Sequence, residues 1–263
     1  MSDIITERSG HILRIQLNRP DKKNAMTVAM YTTLADLLND AAKDDQIRVV
    51  LWHGAGDSFS AGNDIQDFLK NPPGGAGESP QARLIEALIN FDKPIVAAVQ
   101  GAAIGGGTTM LTHCDLVLAG DSAKFRMPFV DLAVVPEFGT SYSVPARIGY
   151  LRAAELILLG SRFDAKRAAE LGLVTRVVPD QELLATATDT ARQLAEKAPA
   201  ALQACKRLMR TSTRDQLERA VKLENQEFSV RVRSAEAKEA FNAFLEKRKP
   251  NFNAISEPKA RAA

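Results

Sequence analysis

The hydrophobic period of this chain switches back and forth between two and about 3.6 residues, and that alternation limits the architectures open to it more than any other feature. Leu13, Ile15 and Leu17 alternate with Arg14 and Gln16, which predicts a strand with one buried face. Asn18-Arg-Pro-Asp21 ends it. From about Thr27 the period lengthens, and Met30, Leu34, Leu37, Leu38 and Ala41 fall on one helical stripe. A strand is predicted over 49–52. Further strand-like runs over 94–99 and 116–119 flank a helix over 105–112 that is entered through glycines. After about Pro145 the texture becomes mainly helical, with helices predicted over 151–159, 165–171, 182–197, 200–209, 216–228 and 235–247 and one short strand over 174–178. Strands and helices alternating in this way predict an α/β core over 1–199, with a helical region over 200–263 that belongs to the same fold.

The 263 residues are 45% hydrophobic, enough for a well-packed core. Thirty-four Lys and Arg against 32 Asp and Glu leave no overall charge footprint for a polyanion, so no nucleic-acid partner is expected. No membrane partner is expected either, because no run approaches the roughly 18 consecutive apolar residues of a membrane span. Cys114 and Cys205 lie far apart without C-x-x-C spacing, which argues against a disulfide framework and a structural zinc. The opening Met1-to-Gly10 segment has neither the apolar stretch of a signal peptide nor the Arg-rich character of a transit peptide, and the chain does not end in a peroxisomal tripeptide, so a cytoplasmic location is expected. The segment over 71–80, NPPGGAGESP, cannot sustain a helix or a ladder and reads as a loop, either passive or a lid.

Several chemistries fail for want of residues. The glycine run Gly101 to Thr108 has no Lys after its last glycine and lacks dinucleotide-binding spacing. Ser58 and Ser141 do not sit in a G-x-S-x-G elbow, and His11, His53 and His113 show no metal-ligand pairing. Cys114 beside His113 reads as a small core residue. Two glycine-bearing turns and one acid remain. Phe59-Ser-Ala-Gly-Asn-Asp-Ile65 places small residues after a strand, where a backbone amide can approach a ligand. Gly105-Gly-Gly107 opens a helix whose first amides lack intrahelical partners. Either segment alone is a tight strand-to-helix turn; together, two such amides converging on one oxygen would form an oxyanion hole.

A series of ordered motifs carries a family resemblance: Leu17-Asn-Arg-Pro-Asp-Lys-Lys-Asn-Ala25, Phe59 to Ile65, Lys93-Pro-Ile-Val-Ala-Ala-Val-Gln-Gly101 with Ala-Ala-Ile-Gly-Gly-Gly107, Cys114-Asp115, Arg147-Ile-Gly149, Leu171-Gly-Leu-Val174 and Glu246-Lys-Arg-Lys249. The chain resembles the crotonase (enoyl-CoA hydratase/isomerase) superfamily over nearly its whole length. The resemblance implies a spiral of ββα units with a carboxy-terminal helical region, assembly as a homotrimer or a dimer of trimers, and work on acyl-CoA esters in fatty-acid and lipid metabolism. No cofactor is implied, because coenzyme A is part of the substrate, and no metal. By motif position the oxyanion amides belong to Asn63 and Gly106, and the coenzyme A moiety lies along Lys22, Lys23 and Ala25 and along Ala61, Gly62, Asp64 and Ile65. The two glutamates of the hydratases are replaced here by Thr109 and Phe129, neither of which can act as a general base. The segment Val134-Val-Pro-Glu-Phe-Gly-Thr-Ser-Tyr142 instead resembles the one that bears the catalytic glutamate of the Δ3,Δ2-enoyl-CoA isomerase branch. Glu137 is the matched residue, and its apolar neighbours predict a raised pKa. Movement of a 3-enoyl-CoA double bond to the 2-position is the expected activity. The alternatives are hydration or another reaction of the family, such as thioester hydrolysis, on the same oxyanion hole, and a non-catalytic RNA-binding relative. Phe68, Leu84 and Leu88 are candidates for the acyl tunnel or for ordinary core.

Overall fold

The computed structural model describes residues 2–70 and 79–255. Ile4–Ser9 (β1) and Ile12–Leu17 (β2) form an antiparallel pair. The chain then runs through Val28–Lys43 (α1), whose first turn is capped by Thr27 accepting from the Met30 amide, to Val49–Gly54 (β3), Ile65–Lys70 (α2) and Pro80–Asn90 (α3). Ile95–Val99 (β4), Ala102–Ile104 (β5), Gly106–Thr109 (α4), Leu116–Gly120 (β6), Lys124–Arg126 (β7) and Thr140–Ile148 (α5) follow. Tyr150–Leu158 (α6), Phe163–Asp164 (β8), Ala165–Glu170 (α7), Arg176–Val178 (β9), Asp180–Ala195 (α8), Pro199–Arg231 (α9) and Ala235–Leu245 (α10) complete it.

The large sheet has the order β1-β2-β3-β4-β6-β9 and is parallel apart from its first pair. A small sheet, β5-β7-β8, lies beside it, prolonged by isolated bridges between Met26 and Asn63 and between Ser60 and Ala103. Each turn of the chain thus contributes one strand to the large sheet, a short extended piece to the small one, and then a helix. This is a spiral of ββα units closed by carboxy-terminal helices, the expected α/β architecture.

The central strands β3 and β4 are buried along their whole length, as a parallel sheet covered on both faces requires. Alternation sorts their side chains. Val49, Leu51, Val96 and Ala98 face α8, where Ala187, Ala191 and Ala195 recur every fourth residue and let the helix approach closely. Val50, Trp52, Ile95, Ala97 and Val99 face the main core, shared with Leu34 and Leu38 of α1 and Leu84 and Leu88 of α3. Leu84 and Leu88 are therefore core residues, whereas Phe68 reaches the cavity described below.

Three elements depart from the sequence reading. The β1 strand has only Ile4 buried, so an edge strand of alternating character never shows in its residues. The helices predicted over 200–209 and 216–228 are one 33-residue helix, α9. Arg210-Thr-Ser-Thr213 contains no Gly or Pro, and the hydroxyls of Thr211 and Thr213 donate to the Arg207 and Arg210 carbonyls, at 2.8 and 3.2 Å, so the polar stretch stays helical. Of the loop predicted over 71–80, residues 71–78 lie outside the described residues, while Ser79 caps α3 and Pro80 is its first residue.

Lys206 fastens α9 to the core. Its buried ammonium donates to the Lys93 carbonyl at 2.8 Å and to Asp115 Oδ2 at 2.7 Å, and lies 5.6 Å from the centre of the Phe91 ring. The same Asp115 oxygen accepts from the Ile95 amide at the start of β4. Lys206→Met leaves that carboxylate without its cation, and the expected loss of stability is about 3 kcal/mol in urea unfolding. A loss under about 0.5 kcal/mol, the size typical of surface changes, would show that the pair contributes nothing net.

Candidate active site

The main cavity, about 1170 Å³, opens between the amino-terminal ends of α2 and α4, the small sheet and the helices α9 and α10. Its floor is built by the two glycine-bearing turns. Gly62, at a φ of +85°, crosses so close to the next turn of the spiral that a Cβ there would stand 2.6 Å from the Ile104 carbonyl oxygen and 3.4 Å from the Gly106 amide nitrogen. A Cβ at Gly107 would lie 2.4 Å from the Ser60 carbonyl oxygen. Only glycine permits this approach. It brings together the Asn63 segment, held by the Met26 amide donating to the Gly62 carbonyl and the Asp64 amide to that of Met26, and Gly106, the first residue of α4. The Gly106 amide is one of the unpartnered donors at a helix start.

Glu137 stands over this floor. It is 3% exposed, and its Oε1 comes within 3.0 Å of where a Cβ on Gly106 would be. Its Oε2 accepts from the Gln81 amide of α3. Asn63 also bonds the carboxylate through its side chain, while Asn63 Oδ1 accepts from the Tyr31 hydroxyl at 2.5 Å. Burial pushes the Glu137 pKa up to about 7; the Gln81 bond lowers it, the buried Glu224 raises it and the Asn63 bond lowers it. Burial, seconded by the Glu137 charge, holds the Tyr31 hydroxyl well above its ordinary range, so Tyr31 stays a neutral donor.

Of the predicted residues, Lys22, Ala25, Ala61, Gly62, Asn63, Asp64, Ile65, Gly106 and Glu137 all line the cavity. Lys23 does not. Its ammonium projects to Asp57 at 3.0 Å, and it supports the site through its carbonyl, which accepts from the Ala61 amide. Buried Asn24 shapes this stretch, accepting from the Arg19 amide and donating to the Ala55 and Ser58 carbonyls. Arg19 clamps it by donating to the Ala25 carbonyl and to Asp64, at 2.6 and 3.0 Å. Phe129, at one of the positions where the hydratases carry a glutamate, is an apolar wall of the cavity, and Thr109, at the other, is fully buried. Sequence reasoning missed Tyr31, Gln81 and Glu224. Tyr31 and Gln81 sit at the first turns of amphipathic helices, and only tertiary packing turns them toward Glu137.

The four carboxylates on the cavity wall differ in their commitments. Asp64 pairs with Arg19, Asp131 pairs with Arg126 at 2.7 Å, and Asp164 caps α7 by accepting from the Arg167 amide. Glu137 alone among them is buried against apolar surface with no cation. Such a group can take a proton from carbon near neutral pH and return it.

The family profile described as enoyl-CoA hydratase/isomerase matches residues 7–255. The chain belongs to that family. Its relatives within the enoyl-CoA hydratase/isomerase family include the 1,2-epoxyphenylacetyl-CoA isomerase of Escherichia coli strain K12, 34% identical over 258 residues, with 96% of this chain and 98% of the relative covered. The 2,3-dehydroadipyl-CoA hydratase of the same organism is 32% identical over 252 residues, covering 96% and 99%. Among solved structures, an enoyl-CoA hydratase/isomerase from Pseudoalteromonas atlantica T6c superposes with a TM-score of 0.91 at 41% identity, covering 95% of this chain and 100% of that one. The protein is an enzyme of this family by sequence and by fold, and both isomerases and hydratases stand among its relatives.

The raised pKa has a measurable cost. A carboxyl whose folded-state pKa lies near 7 against an ordinary 4.5 contributes stability that is complete below pH 4.5 and lost as pH rises through 7. Glu137→Gln removes the titration. Urea unfolding at pH 5 and pH 8 is therefore expected to show the variant gaining about 2.5 kcal/mol on the wild type between the two. A difference that does not change with pH would place the ionised carboxylate in a solvated site instead.

Proposed function

We propose that this enzyme moves the double bond of a 3-enoyl-CoA into conjugation with the thioester, with Glu137 as its single proton carrier. The observation that carries the reading is one buried carboxylate, with Oε1 over Gly106, facing a cavity whose other acids are committed to ion pairs or a helix cap. The thioester oxygen binds between the Asn63 and Gly106 amides. Glu137 removes a proton from C2, the electrons delocalise over C2 to C4 and the oxygen as a dienolate, and the same carboxyl returns the proton at C4. No water is consumed and no cofactor is needed, since coenzyme A arrives on the substrate.

Lys22, Ala25 and Ala61 to Ile65 form the wall that receives the coenzyme A portion, and Phe68, Phe228 and Phe241, packed edge to face with ring centres 5.8 and 6.0 Å apart, close the apolar side. Hydration is the competing reading, since several relatives are hydratases. It needs a base for the attacking water and an acid for C2, usually a pair of carboxylates. Thr109 and Phe129 supply neither.

Glu137→Gln is expected to abolish isomerisation with acyl-CoA affinity unchanged, a loss of at least about 100- to 10,000-fold in turnover. Because the base must be ionised, wild-type kcat/KM is expected to rise through pH 7 and level off above it. Wild-type rates in the variant, or faster hydration of 2-enoyl-CoA than isomerisation of any 3-enoyl-CoA, would overturn the reading. Main-chain donors make a second expectation: Gly106→Pro, which deletes an amide hydrogen, loses roughly 100- to 1000-fold in turnover. Asn63→Ala keeps the amide and loses only the side-chain bonds to Glu137 and from Tyr31, so a loss as large as that of Gly106→Pro, with the pH profile set by Glu137 unchanged, would assign the donor to the side chain.

We also propose a homotrimer or a dimer of trimers. Supporting it, Tyr150, Leu151 and Leu159 in and just after α6 and Leu208 and Met209 on α9 are all more than 70% exposed, large apolar side chains that a lone chain leaves in water. On α10, by contrast, Ala237, Ala240 and Phe241 are covered within the chain, and Phe244 and Leu245 are open. Light scattering at micromolar concentration is expected to give three or six chains per particle, and a monomer would refute the assembly.

A further inference from the structure

The turn Glu137-Phe138-Gly139 has two successive positive φ angles, +60° at Phe138 and +70° at Gly139. A bulky residue in that region is strained by about 1–3 kcal/mol and keeps its conformation only when its surroundings enforce it. Here they do. The Thr140 hydroxyl donates to the Glu137 carbonyl at 2.5 Å, and His113 Nε2 donates to the Phe138 carbonyl at 2.8 Å. From α9, the carboxylate of Glu224 accepts from the Gly139 amide at 2.6 Å and from the Ser141 amide at 2.7 Å. Leu217 and Val221 on the same face of α9 press on Gly139, where a Cβ would come within 2.4 Å of Leu217 Cδ1 and 3.1 Å of Val221 Cγ2. One helical turn further, Phe228 lines the cavity.

Glu224 is 5% exposed, and its hydrogen bonds come from the Gly139 and Ser141 amides and from the Ser141 hydroxyl, with no cation among the described residues. Ser, Thr or Asn caps a helix start without burying a charge. A carboxylate in this place is a costly way to do so, and an ordinary staple gives no reason for it.

We propose that Glu224 is a positioning residue for Glu137, holding from behind the strained turn that aims the base at the Asn63 and Gly106 floor and facing it with a second buried negative charge. The proposal rests on Glu137 being the base. Geometry and charge act together. The groups that face Glu137 are Tyr31 from α1, Asn63 before α2, Gln81 from α3 and Glu224 from α9. Tyr31, Asn63 and Gln81 are neutral. His113 behind the turn is neutral too, its imidazole pushed down to about 3 by burial and its Nδ1 left without a partner. Burial raises the pKa of Glu224 itself, and its bonds from Ser141 and Gly139 oppose that rise, so among these groups it is the one acid beside Glu137; its charge raises the Glu137 pKa.

The test compares wild type, Glu224→Gln and Glu224→Asp by two measurements: NMR titration of the Glu137 carboxyl carbon, identified by its loss in Glu137→Gln, and turnover of 3-enoyl-CoA. Glu224→Gln keeps one acceptor and loses the charge. Its Glu137 midpoint is expected to fall, and kcat to drop roughly 100-fold with acyl-CoA affinity unchanged, the scale of a misplaced catalytic group. Glu224→Asp keeps the charge but reaches one amide at most; its midpoint is expected to stay raised while kcat falls. Should Glu224→Gln fail to fold, Glu224→Asp decides: a wild-type midpoint with lowered kcat supports the proposal, and wild-type values of both overturn it. A wild-type midpoint and kcat in Glu224→Gln also overturn it. If the wild type isomerises no 3-enoyl-CoA, the midpoints alone decide the role of Glu224, and the missing activity counts against the functional reading separately.

Discussion

Everything in the site depends on backbone meeting backbone. Where successive turns of the spiral cross, the Gly62 and Gly107 positions leave no room for a Cβ. That contact brings the Asn63 segment beside Gly106, and the amides of these two residues are the donors in the proposed reaction. Main-chain donors fixed by the fold cost nothing to reorganise when charge develops on an oxygen, which is why they serve an enolate better than mobile side chains would. The hydrogen bonds of Asn24, Arg19 and Ser60 in the neighbouring loops keep the crossing in register.

Against that rigid floor the acid is the variable part. Thr109 and Phe129 turn two positions used by the hydratases into core and apolar wall, and the carboxylate arrives from a different segment, the turn before α5. Its environment supplies the basicity: the walls exclude water, and Gln81 and Asn63 hold the carboxylate without neutralising it. The same apolar surroundings that make Glu137 useful make it expensive in the folded state, a local conflict of the kind that marks functional sites.

The period of the apolar residues made the α/β core legible, and the ordered glycine motifs made the two turns legible, because both are local patterns. Edge strand β1 was not, since its outward residues carry no alternation. The unbroken course of α9 was hidden by a Thr- and Ser-rich stretch whose hydroxyls bond backward within the helix. Lys23 was placed with Lys22 by motif position, yet its left-handed backbone, with φ +48°, and its ion pair with Asp57 take it out of the cavity. Glu137 was found through its segment. Its partners Tyr31, Gln81 and Glu224 lie 106, 56 and 87 residues away in sequence, and no local pattern joins them.

The helix α9 spans roughly 50 Å at 1.5 Å per residue, and it is among the last elements of the chain to be made. During synthesis the large sheet and the two glycine-bearing turns emerge first, while the turn that carries Glu137 waits for Glu224 and the cavity waits for Phe228 and Phe241. A nascent chain stopped before residue 199 therefore lacks the Glu224 bonds behind the Glu137 turn and the apolar wall of Phe228 and Phe241. The cavity is closed only once the two carboxy-terminal helices dock, so its apolar side is among the last surfaces of the chain to be covered.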